Sequence, residues 1–255
     1  MDHVLVVFFF ICFFLSTPGV GQSQSVTYQK VKVGHVRAYV VTADLNSDRV
    51  ALDLYVASHH PSNRSFPHET FHFMVGKTQP TAAINGTYYD TRTFIPVGTL
   101  AADGQMFQMG SHGTAVCFDK SNQVGFYKIR DLKNFPWKSY KVVLSTGPTL
   151  VQNGHTHVYP SLERFHDPAL FRPASRSALG ITRNRKLLLV SVRTPIRLRD
   201  MAWIMKSLGA EHAIALDGGS STALYYRGKI VVRPARMMTN IFLIYEQKEA
   251  RVSKE

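Results

Sequence analysis

Four short segments of this chain put glycine and small polar side chains directly beside an apolar stretch. They are Ala83-Ile84-Asn85-Gly86-Thr87-Tyr88-Tyr89-Asp90, Leu144-Ser145-Thr146-Gly147-Pro148-Thr149-Leu150-Val151, Ser175-Arg176-Ser177-Ala178-Leu179-Gly180 and Ala215-Leu216-Asp217-Gly218-Gly219-Ser220-Ser221-Thr222. A strand that ends in glycine turns backbone N–H groups toward a ligand with no Cβ in the way. In the last segment a carboxylate, Asp217, stands at the strand end beside the donors of Gly218, Gly219 and Ser220. That pairing suits a sugar hydroxyl or an anomeric carbon held next to a phosphate. Taken singly, each segment also fits an ordinary tight turn. Their set and order carry the information.

Other residues offer different chemistry. His68-Glu69-Thr70-Phe71-His72 matches the zinc-peptidase pattern, two histidines one helical turn apart with a glutamate base. Its helix would be short, Pro67 to Val75 with Gly76 as the stop, and no third ligand follows at a persuasive spacing. A zinc metallopeptidase is therefore the alternative reading, and no metal ligand or cofactor is assigned. His155 and His157 lie in an irregular stretch, 153–175, of the kind that covers sites, and read as loop residues. Of the two cysteines, Cys117 sits in the strand-like run Thr114 to Phe118 with no basic group beside it. It reads as a buried small hydrophobe.

The elements that must position these residues are mostly strands. Val50, Leu52, Leu54 and Val56 alternate with Ala51, Asp53 and Tyr55, the period of a half-buried strand. Val36 to Thr42 is expected as its antiparallel neighbour, across a turn at Asn46-Ser47-Asp48. Further strands are expected at 82–85, 115–118, 124–127, 142–145, 187–192, 213–216, 229–232 and 241–245. Leu198, Met201, Ala202, Met205 and Leu208 recur at helical spacing before Gly209, with Thr194-Pro195 as the expected start. The expected fold class is α+β: a single mixed domain, strand-rich, with a few helices packed on the sheets.

Charge and leader narrow the setting. The chain has 255 residues, 30 Lys plus Arg against 17 Asp plus Glu, and a net charge of +13. Phosphate, carboxylate or anionic lipid partners are favoured by that balance. Val4 to Leu15 is an unbroken apolar run of twelve. A span needs about twenty such residues, so the run reads as a signal-peptide core, with cleavage after Gly21. The expected division is a signal peptide over 1–21 and one domain over 22–255, exported to the medium, envelope or periplasm, with an uncleaved anchor as the alternative. No later stretch could span a bilayer, and with Cys12 removed Cys117 has no disulfide partner. Asn63-Arg64-Ser65 is a glycosylation sequon.

Together the four segments resemble the phosphodiester glycosidase family. The family's Asn-Gly followed by aromatics is Asn85-Gly86-Thr87-Tyr88-Tyr89, and its hairpin matches Pro96-Val97-Gly98 and Asp103-Gly104. Its Ser-Gly-Pro segment is Thr146-Gly147-Pro148 through Gly154, its Arg-Ser/Thr-Ala-Ile-Gly is Arg176 to Gly180, and its Asp-Gly-Gly segment is Leu208-Gly209 through Ser220. The likeness runs from about Val31 to Tyr245 and is nearer the short bacterial branch. Where many relatives carry Asp-Gly-Arg, this chain has Ser191-Val192-Arg193-Thr194-Pro195, and it lacks the cysteine-rich extension of the animal enzyme.

The resemblance implies hydrolysis of a glycan or glycopolymer linked through its anomeric carbon to a phosphodiester, with no nucleic-acid partner and no cofactor. A departing phosphate monoester is a stable anion, so a cation on the phosphate replaces strong general-acid help. Asp217 is then expected at the anomeric carbon and Arg176 at the phosphate, with Arg172, Arg183 and Arg193 as substitutes. Asn85 and Thr146 are expected to orient sugar hydroxyls or phosphate oxygens, with Gly86, Gly147, Ser177, Gly218, Gly219 and Ser220 as further contacts. A second carboxylate, where one is required, is Asp90 or Glu211. The competing class is a noncatalytic binder of anionic cell-envelope glycopolymer, which a carboxylate in the phosphate site would weaken.

Overall fold

In the computed structural model, which describes residues 24–58, 65–128 and 135–247, the strands form three sheets of seven, five and five. The expected signal peptide and the sequon at Asn63 lie outside the described residues. The seven-stranded sheet runs β1 (Val26–Val33), β2 (Val36–Asp44), β13 (Lys186–Ile196), β12 (Ala174–Thr182), β14 (Ala210–Ala215), β10 (Thr149–Gln152), β11 (His155–Thr156). The second sheet runs β16 (Lys229–Val232), β15 (Leu224–Tyr226), β4 (Ala82–Asn85), β17 (Asn240–Glu246), β3 (Val50–Val56). The third runs β6 (Gln105–Gln108), β5 (Leu100–Ala102), β9 (Val142–Thr146), β7 (Thr114–Phe118), β8 (Val124–Lys128). Two α-helices accompany them, α1 (Phe71–Thr78) and α2 (Leu198–Ser207).

Strand alternation sorts the apolar side chains into layers. One cluster takes a face from each sheet and includes Val41, Leu52, Ile84, Leu144, Leu189, Ile214 and Phe242. Fully burying one such side chain stabilises the fold by about 1.5–3 kcal/mol. The opposite face of the seven-stranded sheet, with Val40, Leu188 and Val190, packs on Met201, Ile204 and Met205 of α2. The opposite face of the second sheet, with Ala83, Ile241 and Leu243, packs on Phe71, Met74 and Val75 of α1. Strands covered on both faces read as continuous apolar runs, which is why β13 shows no alternation in sequence. Cys117 is buried on the outer side of the third sheet, and burial pushes its thiol up to about 12. The strand-rich α+β domain expected from sequence is the architecture found.

Three details differ from the sequence reading. β2 pairs with β1 and β13, whereas β3 pairs with β17, so the turn after β2 carries the chain from one sheet to another. α1 starts at Phe71, because the Thr70 hydroxyl accepts from Phe73 N at 3.2 Å and Glu69 is held extended by paired bonds to Met238. The helix then runs through Gly76 to Thr78. Pro195 lies inside β13, and α2 begins after Arg197, whose N–H donates to Asp200 Oδ2 at 2.9 Å. Among the described residues no helix is long and apolar enough to cross a membrane.

Candidate active site

Asp217 emerges, half-buried, where β14 ends. Its backbone is pinned from two sheets. Leu216 N donates to Ser177 O on β12 at 2.9 Å, and Asp217 N donates to Gly86 O, just past β4, at 3.0 Å. Asn85 Nδ2 donates to Asp217 O at 2.7 Å. The carboxylate therefore stands at the seam between the seven-stranded sheet and the second sheet. Close approach at this seam requires glycine: a Cβ on Gly86 would lie 1.7 Å from Asn240 Oδ1, and one on Gly218 would lie 2.9 Å from Ser175 O.

Several residues expected to touch substrate also build this frame. Asn85 is buried, and its Oδ1 accepts from Ser177 Oγ at 2.7 Å and Ala223 N at 3.0 Å, which with the bond to Asp217 occupies the amide. Thr146 Oγ1 and Gly147 N both donate to Ala215 O at 3.0 Å, fixing the end of β14 from the third sheet. Buried Ser177 reaches Ser191 Oγ at 3.3 Å. The Gly218 amide donates to Asp217 Oδ1 at 2.9 Å and so holds the carboxylate. Gly219 begins a 3-10 turn to Ser221, and the carbonyl of exposed Ser220 accepts from Ala235 N at 2.8 Å.

Two guanidinium groups act electrostatically on Asp217. Arg176 is only 2 % exposed. Its Nε donates to Ile196 O at 3.2 Å, and its Nη2 donates to Leu170 O at 2.9 Å and Arg172 O at 2.6 Å. That leaves Nη1, which lies 3.6 Å from where a Gly218 Cβ would be. Arg176 therefore has one nitrogen left for a further partner. The second cation is Arg236, which the sequence reading missed. It sits half-buried with its Cζ 4.8 Å from the centroid of Tyr89, whose hydroxyl donates to Met237 O at 2.8 Å. No glycine motif marks Arg236; only the folding of the 233–239 loop over Tyr89 and Ser220 brings it in. Burial pushes the Asp217 carboxyl up to about 6, with the Ser221 hydroxyl, the Gly218 amide, Arg236 and Arg176 acting to lower it. A carboxylate so placed is ionised at neutral pH yet poorly solvated, the condition for strong interaction with a developing cation.

Other sequence candidates lie apart from this seam. Asp90 is exposed and caps its own loop through Arg92 N, Thr93 N and Thr93 Oγ1. Glu211 pairs with Arg183 at 3.2 Å, at the other end of β14. Arg172 and Arg193 are exposed, their carbonyls serving Arg176 and Ser175. His68 is stacked on Phe94 at 3.6 Å and Glu69 Oε2 accepts from Tyr55 Oη at 2.8 Å, both before α1, while His72 is exposed on it. They do not share a helical face, so the zinc-peptidase spacing has no geometric counterpart. His157 edges against Tyr159 at 4.8 Å and borders a cavity of about 190 Å³ with Glu163, Phe126 and His212. The 153–175 segment does flank the site, supplying the Leu170 and Arg172 carbonyls to Arg176 and the Phe165 ring, 5.5 Å from Tyr88.

One carboxylate at a strand end, in electrostatic reach of two guanidinium groups and framed by three sheets, can stabilise charge of either sign. Residues 78–245, which hold every part of this site, match the profile of the phosphodiester glycosidase family, and the chain belongs to that family. Solved structures share the fold. A hypothetical protein from Synechocystis superposes with a TM-score of 0.73 at 15% identity, over 87% of this chain and 62% of its own length. The zebrafish N-acetylglucosamine-1-phosphodiester alpha-N-acetylglucosaminidase catalytic domain, auto-inhibited by its pro-peptide, gives 0.71 at 17% identity over 89% of this chain and 85% of that one. A protein from Burkholderia pseudomallei gives 0.56 at 13% identity, over 82% and 74%. No curated protein matches the chain in sequence.

Proposed function

We propose that this protein is an exported hydrolase that cleaves a glycosyl-1-phosphodiester bond, releasing a free sugar and a phosphate monoester. The observation that carries the reading is the convergence of Asp217 with Arg176 Nη1 and Arg236 on one seam. Asp217 faces the anomeric carbon and stabilises the positive charge that develops there as the carbon–oxygen bond breaks. The bond's electron pair leaves with the phosphate, where the two guanidinium groups take up the added negative charge. Water then adds to the anomeric carbon and gives up a proton. Asn85, Thr146 and Ser177 act as positioning residues: Asn85 holds the Asp217 carbonyl, Thr146 the Ala215 carbonyl, and Ser177 the Leu216 amide and Asn85 itself. Export rests on the apolar run Val4 to Leu15 followed by small residues. The test is turnover of a panel of glycosyl-1-phosphodiesters by purified protein, reading free sugar and phosphomonoester together. Binding without release of either product would make the protein a glycopolymer binder instead.

A further inference from the structure

Among the described residues, four buried side-chain oxygens make no hydrogen bond of regular geometry, Thr87 Oγ1, Tyr88 Oη, Ser221 Oγ and Thr222 Oγ1, although Tyr88 is in reach of Arg176 and Ser221 of Asp217. All four lie on the two segments that follow β4 and Asp217. Folded proteins pair the large majority of buried polar atoms, because an unmade bond costs stability. Tyr88 and Ser221, beside the charged groups of the site with their bonds not fully formed, therefore have capacity left for a ligand. Tyr88 is the sharpest case. Serine and threonine hydroxyls can turn about a single bond to find a partner, but a phenol's oxygen goes where its ring goes. The Tyr88 ring is wedged against Phe165 at 5.5 Å and packed on the α2 side of the core. Its hydroxyl is close enough to interact with both charged groups of the site, Arg176 and Asp217.

The state of Arg176 says which way this hydroxyl works. With Nε and Nη2 given to three backbone carbonyls, Nη1 is the nitrogen left to face Tyr88. A neutral phenol accepts one hydrogen bond and donates one. We propose that Tyr88 is a catalytic residue: its oxygen accepts from Arg176 Nη1, and its O–H donates to a phosphate oxygen of the substrate, holding the charge that gathers on the leaving group. The assignment rests on the glycosyl-phosphodiester reading above. It gives the site a neutral hydrogen-bond donor, and neither Asp90 nor Glu211 is placed to act there. Burial raises the phenol well above its usual range, so it keeps its proton, and its capacity to donate, at every pH where Asp217 is ionised.

The test is Tyr88→Phe, which removes one oxygen and keeps the ring. Because Arg176 keeps its three carbonyl partners in the variant, melting is expected to change by no more than the loss of one hydrogen bond. Turnover of a glycosyl-1-phosphodiester should nonetheless fall about a hundredfold, the usual loss for one oxyanion donor. Inhibition by inorganic phosphate should weaken about tenfold while inhibition by the released sugar stays unchanged, as expected when a single charge-assisted bond is lost. Equal phosphate inhibition of both proteins, or earlier melting with normal turnover per folded molecule, would overturn the assignment. An acid limb of the pH–rate profile that moves upward in the variant would mean the O–H serves Asp217 instead of phosphate. Wild-type protein inert toward all glycosyl phosphodiesters would sink the parent reading, and a loss confined to the variant would not touch it.

Discussion

At the residue scale, Asp217 ties stability and activity to the same proton. Its carboxyl titrates at about 6 in the folded protein against an ordinary 3.8. The native state therefore keeps a proton that the unfolded chain releases, and stability falls as pH rises from about 4 through about 6. Asp217→Asn should remove that penalty, at most about 3 kcal/mol at pH 7, because the amide oxygen can still accept from Gly218 N. Turnover should drop about a thousandfold, close to 4 kcal/mol of barrier. Wild-type kcat/KM should climb between pH 5 and 7 with its midpoint near 6. Melting scans and pH–rate profiles on the same preparations check both; early melting with normal turnover per folded molecule would reduce Asp217 to a turn residue. The arginines separate in the same experiment. Arg236→Gln should cut kcat/KM about a hundredfold with little change in melting, since Arg236 holds no carbonyl. It should also raise the acid limb, because Arg236 is one of the groups that lower the Asp217 carboxyl. Arg176→Lys should lose both rate and stability, because one ammonium cannot serve three carbonyls and a phosphate.

At the element scale, the site depends on how closely the segment after β4 approaches β17. Gly86 N donates to Asn240 O at 3.1 Å, and Asn240 Oδ1 accepts from Thr87 N at 3.1 Å. No side chain fits between them. Gly86→Ala would put a Cβ 1.7 Å from Asn240 Oδ1, so either Asn240 rotates and abandons Thr87 N or the two segments part. The expected cost is about 2–4 kcal/mol, with overpacking and a lost buried hydrogen bond acting together. Activity should fall further than the folded fraction, because Gly86 O also receives Asp217 N. Chemical denaturation with per-molecule turnover measures the two losses separately. A variant as stable and as active as wild type would show that the Asp217 segment is held without the close approach at Gly86.

At the scale of the whole molecule, the described ends of the chain are fastened by one carboxylate. Glu246, at the close of β17, accepts from Ser25 N and Val26 N at the start of β1, and pairs with Arg49 and Arg227. Its side chain is only 9 % exposed, so the charge is stable because four donors surround it. Glu246→Gln keeps the shape and removes the charge, and should cost about 2–3 kcal/mol through weakened charge-assisted bonds. The seam at Asp217 draws on none of these groups, so kcat per folded molecule should not change. A drop in kcat at full folding would show that closure of the sheets is coupled to the site.

How much of this was legible in the sequence depends on the range of the interactions involved. Local patterns determined the strand-rich α+β character: the alternation from Val50 to Val56, the apolar runs of β13 and β14, and the recurrence from Leu198 to Met205. They also placed a carboxylate at the end of a buried strand and an arginine near the start of another, which the seam then brought together. Pairings between distant segments were not legible, because a strand's pattern shows which face is buried and not which neighbour covers its edge. That is why β2 was expected beside β3 and is found beside β13. The role of Asn85 turns on a bond to a backbone oxygen 132 residues away, so its type suggested a ligand and its partners made it a brace. Arg236 carries no spacing signal at all, and Tyr88 is marked in sequence only as an aromatic after Asn85-Gly86, without a role. Their function exists only where the 233–239 loop, the Phe165 ring and the end of β14 meet, since charge and hydrogen bonding act over a few ångströms of space whatever the separation along the chain.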